Sequence, residues 1–289
     1  MAVAAASLVD HRGRPLRLAS AYESAGTQGR RTQNWAAPAS GPNRALAYGL
    51  ATLRNRSRAA DRNNPWLWLA IDRLVSNEVG VGVTRRSRAE DKRFREAATA
   101  LWNRSRRELD PEGVLDFGGL QGQAVRARRV AGEVFLRRRR RNVNAGLAVP
   151  LQILEAEFVP LGFNRELSNG YVRDGIDYDR RGRRCAYWMY PSHPQDDVRL
   201  GYNQPLRVPA SDVIHHYCPL RPGQRRGEPN AVRALLRAHT FDSYEDAELV
   251  REQTRATLQR GHLPRGLHRP GLPLRPLQRC AAGQHGRPA

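Results

Sequence analysis

The stretch DFGGLQGQAVRARRVAGEVFLRRRRR, residues 116–141, changes its hydrophobic period partway through, and that change decides the fold. From Asp116, a helix-capping residue type, the apolar residues Leu120, Ala124, Val125 and Ala131 recur at helical spacing as far as Gly132. Beyond Gly132 the β-rich runs Glu133 to Arg141 and Gly146 to Val159 are joined by the polar Asn142-Val143-Asn144-Ala145, which predicts a hairpin. A helix therefore gives way to strands at a single glycine.

Working towards the N-terminus, three further helices are predicted. Leu46, Leu50 and Leu53 mark one face of a helix that Arg54, Arg56, Arg58 and Arg62 decorate elsewhere. Asn63-Asn64-Pro65 supplies a cap and a proline at a first helical position, followed by Trp66, Leu67, Leu69, Ile71, Leu74 and Val75, a stripe wide enough for a buried helix ending at Gly80. A third runs from about Arg88 to Leu109 and stops at Asp110-Pro111-Glu112-Gly113. Towards the C-terminus, residues 175–178 and 185–190 flank Asp179-Arg180-Arg181-Gly182 as a short hairpin, and Val208 to Tyr217 gives one more strand. After the break at Pro222-Gly223, residues 229 to about 258 form a long helix. Helices, then antiparallel hairpins, then a helix make an α+β fold. The expected organisation is a flexible basic arm over 1–43, a mainly helical region over 44–131, a β-rich region over 132–220, a long helix over 221–258 and a tail over 259–289.

That tail holds six Arg, five Pro, five Gly and three His, with no acidic residue and no Val, Ile, Phe, Tyr or Trp, so it cannot build a core. It is expected to be disordered. Its composition is what a GC-rich gene yields out of frame, which favours a truncated or frameshifted end over a native basic tail, and residues 22–258 are the expected folded unit.

Charge narrows the function. The 289 residues carry 49 Lys+Arg against 28 Asp+Glu, a formal +21, and only Lys92 of the 49 is a lysine. Nucleic acid phosphates are the usual intracellular partner of such a surplus, and a solvated basic surface without a ligand is the other reading. Lys92 stands in Asp91-Lys92-Arg93 with no glycine before it, which excludes a Walker-type phosphate loop, and the glycines after residue 79 lack the third member of a dinucleotide fingerprint. No apolar run reaches membrane-spanning length and no secretory signal precedes Leu8, while Cys185, Cys218 and Cys280 are too few and scattered for a disulfide framework. A soluble, intracellular protein is expected.

Chemistry-bearing clusters are sparse. In His215-His216-Xaa-Cys218 adjacent strand residues point to opposite faces, so only His216 and Cys218 could share a metal, and no second pair follows. Glu155 with Glu157, and Asp177 with Asp179, share strand faces, where ion pairs to the many arginines outweigh acid/base work. Neither a catalytic nor a metal site is expected, and no cofactor. In the basic run after Leu136 at most three residues, Arg137, Arg139 and Arg141, face one surface as candidate phosphate contacts; the alternative is a solvated edge that repels wrong strand pairing.

One ordered set of motifs carries more weight than any single cluster. Tyr22-Glu23, Leu53-Arg54-Xaa-Arg56-Ser57-Arg58, Arg62-Asn63-Asn64-Pro65, Asn77-Xaa-Val79-Gly80-Xaa-Gly82, Asp116-Phe117 and Gly132-Glu133-Val134-Phe135 occur in that order. They are followed by Val149-Pro150-Leu151-Gln152 with Glu155, Gly175-Ile176, Gly182-Arg183 with Ala186-Tyr187-Trp188, Val213-Ile214-His215, and Arg221-Pro222-Gly223-Gln224-Xaa-Arg226-Gly227-Xaa-Pro229. The succession resembles the lambda-type portal proteins of tailed phages over residues 22 to about 255. The resemblance implies a wing, stem and clip architecture and a subunit of a dodecameric ring at one capsid vertex. It also implies double-stranded DNA, the terminase large subunit, and capsid and head-completion proteins as partners, no membrane, no catalysis, and residence in the virion with host cytoplasm during assembly. Family members are longer than this chain. A sequence-nonspecific, Arg-rich nucleic-acid-binding protein is the alternative. Among the motif positions Gly227 is expected to need a backbone conformation that other residues resist, because it sits where a strand turns into the Glu228-Pro229 helix start.

Overall fold

The computed structural model describes residues 37–139, 149–196 and 204–261. Helices come first: α1 (Pro42–Ala47), α2 (Leu50–Asn63), α3 (Pro65–Val79), α4 (Lys92–Ser105) and α5 (Phe117–Ala131). The single N-terminal basic helix expected from Leu46, Leu50 and Leu53 is thus two, interrupted at Tyr48 and Gly49. Side chains set the starts of the others. Asn64 Oδ1 accepts the Leu67 N–H at 2.8 Å with Pro65 at the first position of α3, and Asp116 Oδ1 accepts the Gly119 N–H at 3.0 Å at the start of α5. Gly132, at φ +89°, ends α5 in the left-handed region and releases the chain into β1 (Glu133–Arg138), as the change of period predicts.

Two antiparallel sheets follow. β1 lies between β2 (Leu151–Leu154) and β8 (Val213–Tyr217), with Phe135 opposite both Leu154 and His215. The second sheet runs β3 (Arg165–Leu167), β4 (Gly170–Arg173), β5 (Ile176–Asp179), β6 (Arg184–Met189) and β7 (Leu206–Pro209) in chain order. The hairpin around residues 179–182 is β5–β6. The expected strand Val208 to Tyr217 divides, however: a 3-10 turn at Ala210–Asp212 sends its first part into the five-stranded sheet and its second into the three-stranded one. Of the run Gly146 to Val159, residues 146–148 lie outside the described residues, and the described part is strand at Leu151–Leu154, with a second 3-10 turn at Ala156–Phe158. Phe135 and Leu154 of one sheet and Ile176, Tyr187, Met189 and Val208 of the other meet in a single core. Burial of side chains of this size, at about 25 cal/mol per Å² of apolar surface, holds the sheets together.

The long α6 (Val232–Gly261) closes the described chain. Its apolar residues are largely uncovered, as are those of α3, where Ile71 alone is buried while Trp66 remains 56% exposed. The buried helix expected from the Trp66 to Val75 stripe is therefore not buried within one chain, because α3 packs on α2 and α5 and leaves the remaining arc of its stripe open. The arm before residue 37, the loop residues 142–145, Arg141 and the tail beyond residue 261 lie outside the described residues.

Candidate functional site

Glu133 stands at the first position of β1, where α5 ends, and its carboxylate is completely buried. A charge removed from water costs several kcal/mol unless it is paired and hydrogen-bonded. Here both oxygens are. Arg54 Nη2 donates to Oε1 at 2.6 Å and Arg226 Nε to the same oxygen at 2.7 Å. The Gly227 N–H donates to Oε2 at 2.8 Å, and His215 Nε2 lies 2.9 Å from it. The two guanidinium groups hold the carboxyl well below the usual carboxylate range despite its burial.

Each arginine is fixed by backbone carbonyls as well. Arg54 Nε donates to Ala131 O at 3.1 Å, and Arg226 donates to Asp174, Ala156 and Val159 carbonyls at 2.7, 3.0 and 3.0 Å. The junction therefore ties α2, the end of α5, β1, β8, the 3-10 turn after β2, the turn between β4 and β5, and the approach to α6 into one bonded unit. Gln224 shapes that approach: its Oε1 accepts the Leu220 N–H at 2.9 Å and its Nε2 donates to Arg226 O at 2.8 Å. Pro229 is buried immediately before α6.

The backbones of Gly132 and Gly227 touch back to back. A Cβ on Gly227 would stand 2.1 Å from Gly132 O, and one on Gly132 would stand 2.3 Å from the Glu228 carbonyl carbon. Gly227 does not occupy the left-handed region, so its requirement is space and not the special backbone conformation expected from its place in the sequence.

His215 shows which tautomer the site selects. Arg184 Nη1 lies 3.0 Å from His215 Nδ1, and a guanidinium has only donors, so Nδ1 accepts and the proton sits on Nε2, facing Glu133. Phe135 and Tyr217 stack on the two faces of the ring at 4.4 and 4.3 Å between centroids. Burial pushes the imidazole down to about 4, so it is neutral near pH 7. Its folded value lies below the unfolded one near 6.5, so its contribution to stability is complete above pH 6.5 and is lost as pH falls towards 4. About 3 kcal/mol is at stake. Chemical denaturation at pH 7, 5.5 and 4.5 should show a falling midpoint, and His215→Gln, which keeps a donor towards Glu133 but does not titrate, should flatten the slope. An unchanged slope in that variant would contradict the assignment.

Of the motif positions read from sequence, the structure gathers Gly132, Glu133, Gln224, Arg226, Gly227 and Pro229 at this one junction. Asn64 and Pro65 start α3, and Asn64 Nδ2 also donates to Asp242 of α6 at 2.9 Å, while Arg62 and Asn63 are exposed at the end of α2. Gly80 and Gly82 have φ of +56° and +99° in the turn after α3. Arg137 lies farther along β1 and Arg139 immediately after it; Arg139 donates to Gln152 at 2.8 Å, and Arg138, on the other face, lies 3.7 Å from Asp212. Sequence reasoning left out Arg54 and His215 as partners of Glu133. Arg54 is not among the outward decorations of its helix: Leu50, Arg54 and Ser57 form the buried stripe at i, i+4 and i+7. The signal was there, hidden by the charge.

The acidic pairs behave as ion-pair partners. Arg58 reaches Glu155 Oε2 at 2.9 Å and Glu157 at 2.8 and 2.6 Å, and Arg207 reaches Asp177 at 2.8 Å. Glu155 and Glu157 are not on a strand as expected; they stand at and in the 3-10 turn. Their carboxylates and His193 have ligand atoms within 4.8 Å of one another, but the guanidinium of Arg58 already supplies a cation there.

Among the described residues the Glu133 cluster is a buried, paired helix-to-strand junction, and the long α6 is poorly covered. Over residues 28–259 the sequence matches the lambda family of phage portal proteins, and the chain belongs to that family. A probable portal protein of Halomonas phage phiHAP-1 is 30% identical over 220 residues, covering 72% of this chain and 42% of that relative, so the chain spans less than half of the relative's length.

Proposed function

We propose that the chain is a portal subunit: copies of it form a closed ring at one capsid vertex, and double-stranded DNA passes through the centre during packaging and ejection. The terminase large subunit and the capsid and head-completion proteins are the partners of that ring, in the host cytoplasm during assembly and then in the virion. The chain performs no catalysis; its role is to shape a conduit. Family membership carries this reading, and the uncovered apolar residues of α3 and α6 support it, since a ring joins two different surfaces of each subunit and must cover them. Within the proposed organisation, residues 44–131 and 132–220 form the wing-like body and α6 contributes to the stem. Negative-stain electron microscopy and mass photometry of the full chain test it: ring-shaped particles of uniform mass are expected, and a monomer at all concentrations would overturn it.

DNA contact in this reading is to phosphates alone, through residues such as Arg137, Arg139 and Arg141, because base-edge contacts worth about 1 to 3 kcal/mol each would brake a sliding duplex. Affinity should fall by about 0.9 log units per log unit of salt for each phosphate neutralised. Two unrelated duplexes of equal length should bind alike, and a preference above tenfold for either contradicts the conduit.

A further inference from the structure

We infer that the groove between α4 and α5 receives the acidic, aromatic segment of α6 from a second copy of this chain. The inference rests on the ring reading and assigns one of its contacts. The groove has a volume of about 670 Å³, with Trp102, Leu109, Phe117 and Leu151 along its floor and Arg85, Arg86 and Arg138 at its rim, and no carboxylate lines it. The guanidinium carbon of Arg85 lies over Trp102, 4.2 Å from the ring centroid, and 5.4 Å from that of Phe117. Neither Arg85 nor Arg86 meets a carboxylate among the described residues. A planar cation resting on an aromatic floor offers an apolar anchor site with a fixed positive edge.

The complement lies on α6. From residue 241 to 252 the helix carries Asp242, Glu245, Asp246, Glu248 and Glu252 against the lone Arg251, in a chain whose formal charge is +21. Phe241 and Tyr244, at i and i+3, share a face with Glu248 at i+7, and the two aromatic residues are 47% and 58% exposed. The chain's own contacts with this stretch run through Asp242 to Asn64 and, one turn on from Phe241, Glu245 to Trp66 Nε1, and along the helix Glu248 pairs with Arg251 and Glu252 with Arg255. Five carboxylates against those two arginines still leave the stretch net negative, with Phe241 and Tyr244 exposed. Two strongly basic subunits repel unless an acidic patch on one meets a basic patch on the other, and these are apolar patches of opposite charge. The pairing is heterologous, groove to helix, which is the kind that closes rings.

Charge swapping tests it on the full chain. Arg85→Glu with Arg86→Glu should raise the concentration of half-assembly at least tenfold in mass photometry, and Glu248→Arg should raise it as well. Combining Glu248→Arg with the groove substitutions should restore assembly to within threefold of the original, a recovery that unfolding cannot produce, with circular dichroism recorded for each variant. If the original chain assembles and the groove variant assembles equally well, or if the combination fails to recover, the contact lies elsewhere and the ring reading stands. If the original chain never assembles, both fail.

Discussion

Glu133→Gln should cost about 3 to 5 kcal/mol, a large fraction of the roughly 5 to 15 kcal/mol by which domains are stable. The substitution preserves shape but removes the one negative charge between Arg54 and Arg226, which are 0% and 3% exposed and have no route to water. It also places an amide where Oε2 receives the Gly227 N–H and the His215 Nε2 proton, so one donor loses its acceptor or meets another donor. Arg54→Met should cost less, since it leaves Glu133 paired with Arg226 and the junction without surplus charge. Urea midpoints of the two variants, compared with the original, read the difference. Equal losses, or a Glu133→Gln loss below about 1 kcal/mol, would mean that the cluster is not held by its carboxylate.

The second large effect belongs to the two glycines. Gly227→Ala and Gly132→Ala each put a methyl group inside van der Waals contact with backbone, 2.1 Å from Gly132 O and 2.3 Å from the Glu228 carbonyl carbon, and backbone cannot swing aside as a side chain can. Gly132→Ala adds the strain of a φ of +89°. Relief requires parting β1 from the segment that delivers Arg226, so each substitution should yield insoluble protein or lower the melting temperature by more than about 10 °C. Gly122→Ala, inside α5 with nothing within 4 Å of the new Cβ, is the control and should be neutral or stabilising by about 0.5 to 1 kcal/mol. If Gly227→Ala melts with the control, the close approach is wrong.

Local chemistry was legible in the sequence. Asn64-Pro65 and Asp116 announce helix starts because a cap needs only its own next three residues, and Asp179 to Gly182 announces a hairpin because the turn is four residues long. Non-local choices were not. Val208 to Tyr217 has continuous strand character, and nothing within it says that Pro209 to Asp212 will hand one half to each sheet. β3 and β4 escaped notice because Arg165–Leu167 and Gly170–Arg173 are short and polar, stabilised by neighbours and not by their own pattern. The motif glycines and Glu133 were visible as a set, yet their convergence depends on Arg54 and His215, whose sequence neighbourhoods predict a solvated helix face and a strand end. A charged residue on a helix is assigned to water unless its counter-charge, 79 positions away here, is already known.

Those separations also fix an order of events. Glu133 reaches its first arginine 79 residues back and its second 93 residues ahead, so the junction closes two long loops at one point. While the chain emerges from a ribosome, α2, α5 and β1 are available long before Arg226 and Gly227 exist, and until then half of the carboxylate's donors are missing. Arg54 alone already neutralises Glu133, but Oε2 then lacks its Gly227 and His215 donors, and β8, the last strand of the three-stranded sheet, is itself made only a few residues before Arg226. Completion of the three-stranded sheet and its junction therefore waits for the last part of the chain to be synthesised, and a nascent chain halted before residue 213 lacks β8 and leaves one edge of β1 open to whatever it meets.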